Sequence, residues 1–85
     1  MTKVAAREFG PEGVRVNALL PGAIDTPMVD AFDPDRRFRD IGAKKTPLKR
    51  TASANEMARS VLYLASDASS FCHGETLQVD GGAAC

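Results

Sequence analysis

Apolar side chains recur at helical spacing through Met1–Phe9, where Met1, Val4 or Ala5 and Phe9 share one face. The pattern stops at Gly10-Pro11, a strong helix-termination signal. It predicts a helix over Met1–Phe9 that begins without a Ser, Thr, Asp or Asn cap.

A different pattern follows the turn at Pro11-Glu12-Gly13. Val14–Leu20 is short and rich in branched apolar residues, and Pro21-Gly22 ends it, so it predicts a buried strand. A second strand is predicted over Glu75–Asp80, where Leu77 and Val79 share one face.

The helix signal nearest the C-terminus is the clearest in the chain. Ser53-Ala54-Asn55-Glu56 fits a capping box, in which Ser53 accepts from the N3 amide and Glu56 reaches back. The predicted helix ends near Ser66-Asp67. Its broad apolar face carries Met57, Ala58, Val61, Leu62, Leu64 and Ala65.

Between the first strand and this helix, Asp25–Arg50 carries three prolines among mixed charges. It predicts a long surface excursion with one helical stretch near Asp35–Ala43. Loops of this length in compact domains are binding loops, lids or disordered segments.

The order helix, strand, loop, helix, strand indicates an α/β fold, with the two strands parallel and joined by a right-handed crossover. Parallel sheets need cover on both faces and more neighbours than one. The chain, at most one domain over 1–85, is therefore expected to be an incomplete part of a larger sheet.

Composition excludes several functions. Lys+Arg and Asp+Glu are both 11, so no basic excess favours nucleic acid or an anionic membrane. No apolar run approaches the ~20 residues of a membrane span, and charges occupy the N-terminus where a secretory signal is apolar. Two cysteines make no disulfide framework, and a cytoplasmic protein with reduced thiols is expected.

Isolated candidate sites have ordinary structural explanations. Cys72-His73 lacks a further ligand at metal-binding spacing, so no metal site is predicted. Asp80-Gly81-Gly82 could suggest a metal or phosphate loop, but two adjacent glycines after a strand are more typical of a chain-reversing turn. Tyr63, the only tyrosine, has Asp67 four residues later and is interpreted as a packing or surface residue.

Several motifs, taken together and in order, resemble the C-terminal third of the short-chain dehydrogenase/reductase family. The resemblance covers essentially all 85 residues. Its motifs are Val14-Arg15-Val16-Asn17-Ala18, Pro21-Gly22-Ala23-Ile24-Asp25-Thr26-Pro27-Met28, Asn55-Glu56-Met57-Ala58, Tyr63-Leu64-Ala65-Ser66-Asp67-Ala68-Ser69, and Gly74-Glu75-Thr76-Leu77-Gln78-Val79-Asp80-Gly81-Gly82.

The resemblance implies a doubly wound, Rossmann-type parallel sheet that binds NAD or NADP at the carboxyl ends of its strands. Pro21 and Gly22 would form the turn beside the nicotinamide, where a residue without a side chain suits position 22. The Ile24 main chain would bind the carboxamide, and the Thr26 hydroxyl the carboxamide or pyrophosphate. Asp25–Arg50 would be the substrate lid.

The same resemblance implies a small alcohol or carbonyl substrate. It also implies a homo-oligomer formed through the 54–66 helix and the 76–80 strand. The residues that select NAD or NADP follow the family's second strand, so either cofactor is expected.

The family's catalytic groups have no counterpart in this sequence. Its seven glycines form no glycine-rich cradle ahead of a helix, and no Tyr is followed four residues later by Lys. No catalytic residue is therefore assigned. We expect a fragment of an NAD(P)-dependent oxidoreductase that interconverts an alcohol and a carbonyl and is inactive alone.

Two alternatives remain: a non-catalytic module that associates with complete family members, and an unrelated small α/β domain. By the family's registration, an in-frame Lys is expected roughly two helical turns upstream of Met1, with the Tyr one turn further. Met1 would then be an internal methionine of a longer frame.

Overall fold

The computed structural model describes residues 1–85. Helix α1 spans Thr2–Phe9 and continues into a 3-10 turn over Gly10–Glu12. The helix ends where predicted, but Gly10 keeps right-handed backbone angles (φ −54°), and Gly13 takes the left-handed conformation (φ 81°). Gly10 is needed for space instead, because a Cβ there would lie 2.9 Å from His73 Nε2.

Strands β1, Ala18–Pro21, and β4, Thr76–Val79, are parallel neighbours, as predicted. Their register pairs Ala18 with Thr76 and Pro21 with Val79.

Strand β1 begins four residues later than predicted, because side chains supply two of the hydrogen bonds before Ala18. The Val16 amide donates to His73 Nδ1 (3.3 Å), and the Glu75 amide donates to Asn17 Oδ1 (3.0 Å). Since His73 Nδ1 accepts, His73 Nε2 carries the proton and donates to the Ala6 carbonyl (2.6 Å).

The segment predicted as a lid holds more structure than the single helix expected near Asp35–Ala43. Helix α2 spans Pro27–Phe32, and helix α3 spans Arg37–Lys45. Two-residue strands β2, Ile24–Asp25, and β3, Ala52–Ser53, form a second parallel pair on either side of these helices in the chain.

Helix α4 spans Ala54–Ala65, and the predicted capping box is confirmed. The Glu56 amide donates to Ser53 Oγ (3.2 Å), and the Ser53 amide donates to Glu56 Oε1 (2.9 Å). At the other end, the guanidinium of Arg15 donates to the carbonyls of Leu64 (2.9 Å) and Ser66 (3.2 Å). Both ends of the helix are therefore satisfied by named partners.

The capping box predicts a pH response. Hydrogen bonds from the Arg50 guanidinium and then the Ser53 amide lower the pKa of Glu56 from its ordinary 4.5 to about 2. A folded-state pKa below the unfolded value stabilises the helix above the unfolded pKa, and this stabilisation is lost as pH falls toward 2.

We expect an amidated peptide of residues 49–66 to lose helicity, measured by circular dichroism, as pH falls from 5 toward 2. Glu56 is its only acidic residue, so no other side chain titrates in that range. The Glu56→Gln peptide should be insensitive to pH. Equal acid responses in the two peptides would show that the Glu56 carboxylate does not support the cap.

Little of the apolar surface is buried within these residues. Ala6 and Met57 are the only buried apolar residues, and fourteen large hydrophobic residues are exposed. The accessible surface is 6245 Å², against about 4,900 Å² for a compact monomer of this mass. The radius of gyration is 15.4 Å, against about 12 Å for a compact chain of this length. No helix has the length and apolar character needed to cross a membrane.

Candidate cofactor and substrate site

The predicted site residues lie where β1 ends. Pro21 is the last residue of β1, and the Gly22 amide donates to the Val79 carbonyl of β4 (3.1 Å). A Cβ at position 22 would lie 2.8 Å from Asp80 Cα and 3.0 Å from Asp80 Cβ. The residue that follows the neighbouring strand β4 therefore already requires glycine at position 22, independently of any ligand.

Thr26 is the N-cap of α2, and its Oγ1 accepts a hydrogen bond from the Val29 amide (3.2 Å). A hydroxyl has one proton to donate besides its acceptor lone pairs. The Thr26 hydroxyl can therefore cap the helix and donate to a ligand at the same time.

The structure brings three of the four predicted residues to one open cleft. Gly22, Ile24 and Thr26 line it, whereas Pro21 lies behind them in β1 and is not part of the lining. The cleft has a volume of about 440 Å³ and continues along α2 to Phe38 and Arg39 of α3. It is open because its far side has no wall within these residues.

A cluster of charges beneath this cleft was not predicted. Arg39 is 5% exposed, and its guanidinium donates to the carboxylates of Asp33 (3.0 Å), Asp25 (3.4 Å) and Asp30. It also donates to the Asp33 carbonyl (2.6 Å). Arg39 thereby links both lid helices to β2, the strand between Gly22 and Thr26.

Two carboxylates of this cluster, those of Asp25 and Asp33, have lowered pKa values. Asp25 has a lowered pKa because the Thr51 hydroxyl donates to it (2.9 Å) and, despite partial desolvation, the guanidinium groups of Arg36 and Arg39 lie near. For Asp33, desolvation opposes ionisation, but donation from the amides of Phe38 and Arg39 outweighs it and lowers the pKa.

The sequence offered one usable signal for this region. Thr26-Pro27 is an N-cap followed by proline at N1, which is a helix start. The pairing of Arg39 with three aspartates had no such signal, because a run of mixed charges is usually a solvated surface.

The other candidates have structural roles. His73 joins α1 to the segment before β1 through the two hydrogen bonds described above. Asp80-Gly81-Gly82 forms a turn in which Asp80 Oδ1 accepts from the Gly82 amide (3.0 Å), and both glycines have positive φ. Tyr63 lies half exposed on α4. No group of three or more His, Cys, Asp or Glu side chains could hold a metal ion.

Comparison with known proteins gives consistent matches along the chain. A family model described as enoyl-(acyl carrier protein) reductase matches residues 1–84. A 2,5-dichloro-2,5-cyclohexadiene-1,4-diol dehydrogenase of Sphingobium indicum is 42% identical over 83 residues, covering 96% of this chain and 33% of its own length. A 3-oxoacyl-[acyl-carrier-protein] reductase of Thermotoga maritima is 40% identical, covering 96% and 32%.

Solved structures agree with the fold. A putative 2-deoxy-D-gluconate 3-dehydrogenase from Agrobacterium tumefaciens with bound NADP superposes with a TM-score of 0.86 at 32% identity, covering 98% of this chain and 34% of that one. The predicted α/β class is confirmed, with parallel strands and flanking helices. The chain spans about a third of the length of the curated relatives it matches.

Proposed function

The chain belongs to the short-chain dehydrogenase/reductase family, and from that membership we propose that it forms the C-terminal third of an NAD(P)-dependent oxidoreductase. In this proposal residues 1–85 are the incomplete C-terminal part of a Rossmann-fold domain, and the enzyme interconverts an alcohol and a carbonyl. The observation that carries it is the position of Gly22, Ile24 and Thr26 together at one cleft where β1 ends. Ligands of open α/β sheets bind outside the carboxyl ends of the strands.

The residues present fit the nicotinamide end of a dinucleotide. Gly22 leaves the backbone bare at the strand end, and the Thr26 hydroxyl keeps its proton free to donate. Pro21 stiffens the turn by fixing its own φ. In the proposed complex the Ile24 main chain and the Thr26 hydroxyl hold the carboxamide, which fixes the orientation of the ring. The bound nicotinamide supplies or accepts the hydride.

No residue of 1–85 is proposed as the proton donor. Tyr63 lies on α4, away from the cleft, and the residue four positions later is Asp67 and not a lysine, so the family's Tyr-Lys pair is not formed there. The catalytic acid and the pyrophosphate cradle are proposed to come from the remainder of the enzyme. The 85 residues alone are accordingly proposed to be inactive.

The exposed side of α4 supports a proposal about assembly. Val61 and Leu62 on this helix are more than half exposed, although both are apolar. We propose that the 54–66 helix and the 76–80 strand pack against a second copy in the assembled enzyme. Sedimentation of that enzyme as a monomer would contradict this. The alternative, a non-catalytic module, would use the same surface and requires the isolated chain to fold.

Thr26 tests the proposed cofactor site. In the assembled enzyme, Thr26→Ala should weaken cofactor binding by about 1–2 kcal/mol, or roughly five- to thirtyfold, because a hydrogen-bond donor is lost. Isothermal titration with NAD(H) and NADP(H) measures this. Thr26→Ser keeps the hydroxyl and should bind as the parent does.

Loss of the helix cap needs its own control, since Thr26 also caps α2. Ser53→Ala removes a cap of the same kind from α4, outside the cleft. It should lower stability and leave cofactor affinity unchanged. Unchanged cofactor affinity in Thr26→Ala would place Thr26 outside the nicotinamide site.

A further inference from the structure

The wall of the cleft beyond Thr26 is apolar. Met28 and Phe32 of α2 and Phe38 of α3 line it, and they are 74%, 63% and 67% exposed. Large apolar side chains clustered beside a few polar groups are typical of small-molecule sites.

The corner between α2 and α3 fixes this wall in place. Asp33 accepts hydrogen bonds from the amides of Phe38 (3.1 Å) and Arg39 (3.1 Å), which anchors the start of α3 beside the end of α2. The guanidinium of Arg39 binds the same carboxylate. The polar atoms of the corner are satisfied in its interior, and the rings of Phe32 and Phe38 lie exposed at the cleft.

The only charged residue lining the cleft offers no site for an anion. Arg39 is committed to the carboxylates of Asp25, Asp30 and Asp33 and is nearly inaccessible to solvent. These three aspartates also outnumber the cluster's two arginines, Arg36 and Arg39. The local field therefore opposes a carboxylate or phosphate on the substrate.

The residues that line the cleft also include few side chains that can form hydrogen bonds with a substrate. Thr26 is the only hydroxyl among the lining residues, and the proposed function assigns its proton to the cofactor. A polyol placed against Met28, Phe32 and Phe38 would leave the hydroxyl groups that face this wall without partners, which disfavours binding.

From this arrangement we propose that the substrate presents a neutral, apolar body to the lid: a cyclic or aliphatic secondary alcohol or the corresponding ketone. Met28, Phe32 and Phe38 are the residues that determine this specificity. The inference rests on the proposed function and adds to it the class of substrate that this site takes.

The test compares three alcohols of different polarity in the assembled enzyme at saturating cofactor. Cyclohexanol, 4-hydroxycyclohexanecarboxylate and galactitol present a neutral ring, an anionic ring and a polyol. We expect kcat/KM for cyclohexanol to exceed the other two by at least about tenfold. A preference for galactitol or for the carboxylate would overturn the inference.

Variants locate the preference in the proposed wall. Phe32→Ser and Phe38→Ser should each raise KM for cyclohexanol about tenfold while leaving the dissociation constant of the cofactor unchanged. Phe71→Ser is the matched control, because Phe71 is also an exposed phenylalanine but lies outside the cleft. Equal KM values in all three variants would overturn the role assigned to Phe32 and Phe38.

The same experiments separate the two proposals. Cofactor binding with the wrong alcohol preference overturns the substrate class alone. Failure of the assembled enzyme to bind NAD(H) or NADP(H) overturns the proposed function and the substrate class together.

Discussion

Replacing Gly22 by alanine in the assembled enzyme should lower the free energy of unfolding by about 1–3 kcal/mol and weaken cofactor binding more than tenfold. The added Cβ would lie 2.8 Å from Asp80 Cα, and this backbone atom, one residue beyond β4, cannot rotate away as a side chain can. The ends of β1 and β4 must separate, which displaces the turn that leads to Ile24 and Thr26. Denaturant unfolding and cofactor titration measure the two effects.

Gly42→Ala is the matched control for this prediction. Gly42 lies inside α3, and its added Cβ would lie 3.6 Å from Ala23 Cβ, an ordinary contact. Alanine is favoured over glycine in a helix by about 1 kcal/mol, so this variant should be more stable than the parent. Equal stability of the Gly22→Ala and Gly42→Ala enzymes would show that the approach to Asp80 does not constrain position 22.

The 85-residue chain alone should show no cooperative thermal unfolding and no sub-millimolar binding of any of the four cofactor forms. Only six of its residues are buried, and its accessible surface is 6245 Å². Too little apolar surface is removed from water to offset the conformational entropy of ordering the chain. Exposed apolar residues such as Leu20 of β1 also favour association with other chains.

Calorimetry of the purified chain measures its thermal unfolding and its cofactor binding, and amide spectra measure whether it is folded. The assembled enzyme is titrated with cofactor in parallel. The assembled enzyme should bind cofactor under the same conditions. A sharp cooperative melt with dispersed amide resonances in a monomer would show that these residues form a self-sufficient fold. That result would favour the non-catalytic module over the proposed oxidoreductase.

The elements that could be predicted are those whose own residues specify the secondary structure without contacts from elsewhere in the fold. The start of helix α4 is indicated by a capping box whose two hydrogen bonds join Ser53 and Glu56, only three residues apart. Gly74 lies two residues before strand β4, and the pair Gly81-Gly82 begins two residues after it. The alternation within β4 places Leu77 and Val79 on one face. Such signals need no knowledge of the rest of the fold.

The elements that were missed depend on contacts distant in sequence. Strands β2 and β3 have two residues each, too few for any periodicity, and they exist because Ile24 pairs with Ala52. The late start of β1 follows from His73 and Asn17, whose side chains replace ladder hydrogen bonds.

Some features of the candidate site could also be predicted from the sequence, whereas others depend on contacts between residues distant in the chain. Gly22 and Thr26 were found through resemblance to the family, since Pro-Gly after a strand and a lone Thr carry no functional signal of their own. The approach of Gly22 to Asp80 and the saturation of Arg39 are spatial facts, and they required the structure. The approach of Gly22 to Asp80 is the basis of the Gly22→Ala prediction, and the saturation of Arg39 is part of the argument for a neutral substrate.

We propose that these residues are the C-terminal third of an NAD(P)-dependent oxidoreductase, and the reading frame upstream of Met1 provides a decisive test. Sequencing the encoding DNA and transcript should show the frame continuing upstream, with Tyr-x-x-x-Lys placing its Lys roughly two helical turns before Met1. A glycine-rich turn after a first strand should lie further upstream. An in-frame stop codon immediately before Met1, with no upstream exon, would contradict the claim.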